Sequence, residues 1–201
     1  NTIRRGEAPI LIRYEGNYTA TTVTVMGDRS GFVWQNPPAN NKIDELAASK
    51  WERMKILPSG LCDDYEFVRR AYLDITGLPP SAQTIQDFVS DKTDQKQKRD
   101  ALIDRLIGSE EYIDHWTNKW ADLLQVNRKF LGQEGAKGLR QWIRMQVQNN
   151  KPYDQFVREQ IAGDLLAKQA PGVSKEKYKE MLTGTGFVAI SRRFGFDSEN
   201  Y

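Results

Sequence analysis

From residue 42 onward, apolar side chains recur at helical spacing, and a Gly, Pro or Asn interrupts each run before it grows long. A chain with that pattern folds as several short amphipathic helices whose apolar stripes cover one another. The best-punctuated run begins at Asp63, with Glu66 three residues on in a capping-box pattern. Phe67, Val68, Ala71, Tyr72 and Ile75 follow as an i, i+1, i+4, i+5, i+8 stripe. Gly77-Leu78-Pro79-Pro80 ends it, because Gly supplies a left-handed cap and the prolines forbid continuation.

The same reasoning places helices over residues 42–56, 82–89, 95–107, 110–126, 139–148 and 153–168, with 174–190 helical in one or two pieces. Pro152 stands at a helix start. The stretch 91–100 alternates in charge and reads as a solvated connection running into a helix's polar face. Residues 8–14 and 18–26 are different: rich in β-branched and aromatic side chains, they flank Glu15-Gly16-Asn17 as a three-residue connection. They form a β-hairpin with Val23 and Val25 on one face and Thr22 and Thr24 on the other. Two strands are marginal alone, so this arm packs on the helical body or belongs to a sheet begun upstream. The expected fold is mainly α, an irregular multi-helix array over 42–201 with an N-terminal β-hairpin over 1–35. Residues 36–41, with their Pro pair and their Asn residues, are the linker.

Composition narrows the function. The chain has 29 Lys and Arg against 27 Asp and Glu, a formal net charge of +2, without a long like-charge block. Nothing there resembles the clustered basic footprint of a nucleic-acid binder. One Cys and one His exclude an intrachain disulfide and leave no metal site to assemble unless carboxylates dominate it; no H-x-x-x-H, C-x-x-C or EF-hand pattern occurs. No window approaches the roughly 18 apolar residues of a membrane span. The first residues lack both an initiator Met and the apolar core of a signal peptide, so the chain is expected to be cut from something longer.

Candidate sites are few, and no catalytic residue is assigned. His115, beside Trp116 in a helix, reads as a surface or packing residue. Cys62 precedes a helix N-terminus, which can lower a thiol's pKa, but it reads as a small buried or semi-exposed structural thiol. Gly184-Thr185-Gly186 lacks the strand and Lys-Ser/Thr of a phosphate loop and reads as a close-packed helix joint. Arg70 and Asp74 stand four apart, so a helix puts them on one face where an ion pair can fix the following turn. Trp51, Trp116, Trp120 and Trp142 either line a sugar-binding cleft or pack in the core; the one-turn spacing of Trp116 and Trp120 on an apolar stripe favours the core. Asn17-Tyr18-Thr19 matches a glycosylation sequon, relevant only in a eukaryotic secretory route.

Several blocks become specific together. Residues 67–80, containing Arg69-Arg70, Leu73-Asp74, Thr76-Gly77 and Leu78-Pro79-Pro80, closely resemble the R-R-x-x-L-D-x-T-G-L-P-P signature of the planctomycete cytochrome-C-associated domain family, a domain of unknown function. Leu102-Ile103-Asp104-Arg105-Leu106-Ile107 with Ser109-Glu110-Glu111-Tyr112 is similar to a further block of that family. So are Trp116-Thr117-Asn118-Lys119-Trp120-Ala121-Asp122-Leu123-Leu124, the Lys151–Leu166 segment and Thr185-Gly186-Phe187. The resemblance covers roughly residues 42–201, with the helical domain expected to be cut short at its C-terminus. Residues 6–25 resemble the last two strands of a bacterial immunoglobulin-like domain. The family's context implies an extracytoplasmic, periplasmic or secreted, multidomain protein. Its members carry a C-x-x-C-H-like element, which attaches c-type haem, downstream of the T-G-F block. This chain has no C-x-x-C-H, so it holds no cofactor itself and any haem belongs to the parent downstream.

The leading expectation is a non-catalytic structural or interaction module whose partners are neighbouring domains of the same protein. Arg70, Asp74, Trp116, Trp120, Asp122 and Asp164 would stabilise its helix joints. An enzyme part acting on extracellular polymers or in redox chemistry would instead gather Asp74, Asp122, Asp164 or Arg192-Arg193 in a concave site. A carbohydrate-binding module, with polysaccharide as partner, would present two Trp faces in one groove.

Overall fold

A computed structural model describes residues 4, 6–170 and 172–191, the last without its side chain. The chain divides into two compact units, Asn1–Leu61 and Cys62–Tyr201.

In the first unit, β1 (Gly6–Tyr14) and β2 (Asn17–Val25) pair antiparallel, with Tyr14 opposite Asn17. The turn is therefore two residues, Glu15 and Gly16, not the expected three. Both have positive φ, 46° and 79°, the backbone whose twist matches that of the flanking strands. Asn17 is drawn into the ladder as a result. The register puts Ala8, Ile10, Ile12, Val23 and Val25 on one face. After the linker comes α1 (Lys42–Arg53), capped by the Asn41 side chain, which accepts from the Asp44 N–H at 3.0 Å. Glu7 of β1 meets Lys50 at 2.8 Å and Arg53 at 3.3 Å, so the arm is tied to α1 by charge. Ile10, Leu11, Ile12, Tyr14 and Tyr18 stay exposed.

The second unit holds α2 (Asp64–Thr76), α3 (Ala82–Ser90), α4 (Gln95–Leu106), α5 (Glu110–Leu123), α6 (Arg128–Gln148), α7 (Tyr153–Gln169), α8 (Lys175–Gly184) and α9 (Gly186–Ser191). Local chemistry sets the starts. Asp63, Ser81, Asp94, Ser109, Asn127 and Ser174 each accept from the N–H three residues on. Only half of the capping box forms at Asp63, because the Glu66 carboxylate turns to Arg70 at 2.6 Å. α6 begins well before the expected residue 139. Three glycines over 132–138 weaken the helical signal there, and Gly132 breaks the helix locally at φ 71° and ψ 177°. The Asn127 cap and the burial of Ala136 and Leu139 hold the segment helical nonetheless.

Two apolar clusters result. Val68, Ala71, Phe88, Leu102 and Leu106 close α2–α4. Ala121, Leu124, Leu139, Trp142, Ile143, Phe156 and Ile190 close α5, α6, α7 and α9.

Residues 91–97 and Asp100 are exposed, as the alternating charge implies, but Lys98 and Arg99 depart from that reading. Lys98 and Arg99 are not solvated: their side chains are only 7% and 13% exposed, because both reach Asp64 in the first turn of α2. Lys98 Nζ lies 2.6 Å from Asp64 Oδ2 and also donates to the carbonyls of Phe88 and Asp91. Arg99 donates twice to Asp64 Oδ1 and once to the Cys62 carbonyl, with its guanidinium over the Phe67 ring. The Lys98 ammonium thus holds α4 against both α2 and the end of α3. Hydrogen bonds from Lys98 first, and Arg99 second, hold the Asp64 carboxyl down at about 2, against the burial that would raise it.

A carboxyl whose pKa falls on folding adds stability that is complete above its unfolded value and lost as pH drops through the folded one. Asp64 should therefore contribute about 2 kcal/mol at neutral pH and lose it between pH ~4 and ~2. Acid titrations followed by circular dichroism should show that slope, and Asp64→Asn should flatten it. A second expectation concerns α7 and α8, which cross so closely at Gly163 that a Cβ there would lie 2.2 Å from the Met181 carbonyl oxygen. Gly163→Ala should destabilise by about 2 kcal/mol or more. In α6, a Cβ at Gly138 meets only Thr183 Cγ2 at 3.9 Å, so Gly138→Ala should stabilise by about 0.5–1 kcal/mol. Urea midpoints of the pair should move in opposite directions.

Candidate functional site

α5 carries Ala121 of the second cluster and also packs on the end of α2. Helix α2 ends with exposed carbonyls that need partners. Trp116 of α5 supplies one, its Nε1–H donating to the Ile75 carbonyl at 3.1 Å. Beside it, His115 lies against Gly77, where a Cβ would fall 2.2 Å from His115 Nδ1. Gly77 is thus required twice, for its left-handed φ of 72° and for its missing side chain. The buried Thr76 completes the end, its hydroxyl donating to the Tyr72 carbonyl at 2.8 Å and accepting from the Leu78 N–H at 3.3 Å. His115 is half-buried and stands edge-on to Trp116, 5.6 Å between centroids, a packing residue.

The other side of α5 forms a cleft with the end of α6 and the start of α7. Tyr112, Trp116 and Trp120 make one wall, and Tyr153 and Phe156 the other. Gln146, Val147, Asn150 and Lys151 close it, leaving a void of about 130 Å³. Trp120 stands edge-on to Phe156 at 5.0 Å and tilted to Tyr153 at 6.1 Å; Phe156 stacks on the buried Trp142 at 5.3 Å. The chain turns into the cleft through Asn150, φ 45°, and the Lys151 N–H closes the turn on the Gln146 carbonyl. Lys151 Nζ meets Glu159 Oε2 at 2.5 Å, with both side chains nearly enclosed, 12% and 11% exposed. Such a pair fixes the geometry: removing either partner would leave the other charge stranded, at a cost of about 3–5 kcal/mol.

Of the sequence candidates, the cleft gathers Trp116 and Trp120. It does not take in Arg70, Asp74, Asp122 or Asp164. Arg70 is exposed on α2 and pairs backward with Glu66, not forward with Asp74, since Glu66 is also one turn away and lies on the N-terminal side. Asp74 and Asp122 are exposed, on α2 and α5; Asp164 is half-buried on α7, 3.6 Å from Lys168. Trp51 belongs to the first unit and is partly exposed, while Trp142 is core. Cys62 is half-buried, its carbonyl engaged by Arg99. Arg192 and Arg193 lie outside the described residues. Gly184 packs on the Trp142 ring and Gly186 on Leu139, the joint between α8 and α9.

Among the described residues, no three His, Cys, Asp or Glu side chains come together to hold a metal ion. Nor is any helix there long and apolar enough to cross a membrane. Sequence reasoning missed Asp64–Lys98–Arg99 and Lys151–Glu159 because each pair joins separate turns of backbone, where i, i+4 spacing carries no signal.

No curated protein and no solved structure matches the chain. A family model does, over residues 42–200, and that span takes in α1 together with the whole described part of the second unit. The blocks around Thr76-Gly77, Trp116, Trp120 and Lys151–Glu159 lie inside it, and the chain belongs to the family described as Protein of unknown function (DUF1549), PSCyt2.

Proposed function

We propose that this chain is a non-catalytic structural or interaction module of an exported multidomain protein. The contact that carries the reading is the clamp of α5 on the end of α2. There the single histidine, His115, packs on Gly77, and the Trp116 indole N–H is taken by the Ile75 carbonyl. The same holds elsewhere: Lys98, Arg99 and Asp64 satisfy one another, as do Lys151 and Glu159. Groups locked this way position helices, and helices so positioned present a surface of fixed shape to a neighbour.

In this reading the hairpin over 1–35 is the end of an immunoglobulin-like neighbour, 36–41 is the linker, and the helical domain over 42–201 positions a c-type haem or a second family domain in an extracytoplasmic protein. The export and haem elements rest on the family resemblance. Purified chain incubated with polysaccharides, carboxylic esters and sulfate esters should turn over none of them. Turnover that disappears in Asp74→Asn or Asp122→Asn would overturn the reading in favour of an enzyme.

A further inference from the structure

The aromatic cleft between α5, α6 and α7 has the shape and chemistry of a ligand site, and we propose that it binds a single neutral pyranose ring. The proposal rests on the interaction-module reading and names what the module holds. Size is the first argument. A void of about 130 Å³ is well below the ~300–1,000 Å³ of sites that engulf a drug-sized molecule, so the cleft takes one ring of a larger molecule or a lone sugar.

The walls are the second argument. Trp120 and Tyr153 meet at a tilt of 35° with centroids 6.1 Å apart, and Tyr153 is 67% exposed, so an aromatic face is open to solvent at the rim. Trp120 is fixed edge-on against Phe156 of the opposite wall, itself stacked on Trp142. Aromatic faces carry partial negative charge and attract the weakly positive C–H face of a pyranose.

Charge decides the class. Among the described residues, Lys151 is the one charged side chain lining the cleft, and Glu159 neutralises it at 2.5 Å. An anionic ligand would have to compete with that carboxylate, and a cationic one would face the ammonium. Neutral hydroxyls meet neither cost. Glu159 takes one of the three N–H donors of Lys151, and the exposed Asn150 amide both donates and accepts, as a hydroxyl does. The positive φ of Asn150 turns that amide's backbone around the mouth of the cleft.

The test is a fluorescence and NMR titration of the intact chain with neutral methyl glucopyranoside, mannopyranoside and N-acetylglucosaminide. Sodium benzoate and tetramethylammonium chloride serve as charged comparators. Saturable binding of a pyranoside in the millimolar range is expected, with the Trp120 signals moving. Tyr153→Ala, an exposed position that should leave the circular dichroism unchanged, should weaken binding about tenfold or more. Asn150→Gly, which tolerates the backbone, should weaken it less. The proposal falls if no pyranoside binds, if Tyr153→Ala binds as the parent does, or if benzoate or tetramethylammonium binds more tightly than every pyranoside. Hydrolysis of a bound glycoside would overturn the non-catalytic reading and leave the cleft assignment standing. Absence of binding would do the reverse.

Discussion

The second unit depends on one contact, the seat of α5 against the left-handed end of α2. Each apolar cluster is small, one built on α2–α4 and the other on α5, α6, α7 and α9. The helices that carry them, α2 and α5, are joined where Trp116 bonds the Ile75 carbonyl and His115 covers Gly77. Any side chain at position 77 would collide with the imidazole, so the joint needs a specific absence as much as a specific bond. Because Trp116 also forms a wall of the aromatic cleft, the same contact sets the geometry of that cleft.

Buried charge plays a second, separate part. Asp64, Lys98 and Arg99 are arranged so that Lys98 Nζ meets Asp64 and two carbonyls while Arg99 Nε and Nη2 meet Asp64 and a third. Pairs of this kind add less net stability than their Coulomb attraction suggests, since both ions leave water. Their effect is on specificity: α4 can sit on α2 and α3 in one register, with two aromatic rings, Phe67 and Phe88, stacked beneath the cations. Lys151 and Glu159 do the same for the turn that carries α6 into α7.

Function follows from how side chains are used. The segments that carry the family resemblance hold the unit's joints: Thr76 and Gly77 at the end of α2, Trp116 and Trp120 along α5, Lys151 and Glu159 around the α6–α7 turn. A single family motif can serve as joint and as lining at once, as Trp116 and Trp120 do. That double use is the reason a reading of Trp spacing as core packing and a reading of it as a binding wall are compatible in the folded protein.

Helix starts and stops were legible in the sequence, since caps and breakers act within a few residues. Asp63, Gly77 and the run from Phe67 to Ile75 stand where local chemistry requires. The early start of α6 was hidden by its glycines, whose low propensity is outweighed by the burial of Ala136 and Leu139. The fate of Lys98 and Arg99 was hidden too, because a charged stretch is indistinguishable from a solvated one until a carboxylate more than thirty positions away comes to meet it. The sequence by itself determined the class, mainly helical with a hairpin, and the family. Tertiary structure decided which charges are buried and which tryptophans share a cleft, because those facts depend on contacts between helices and not on spacing within one.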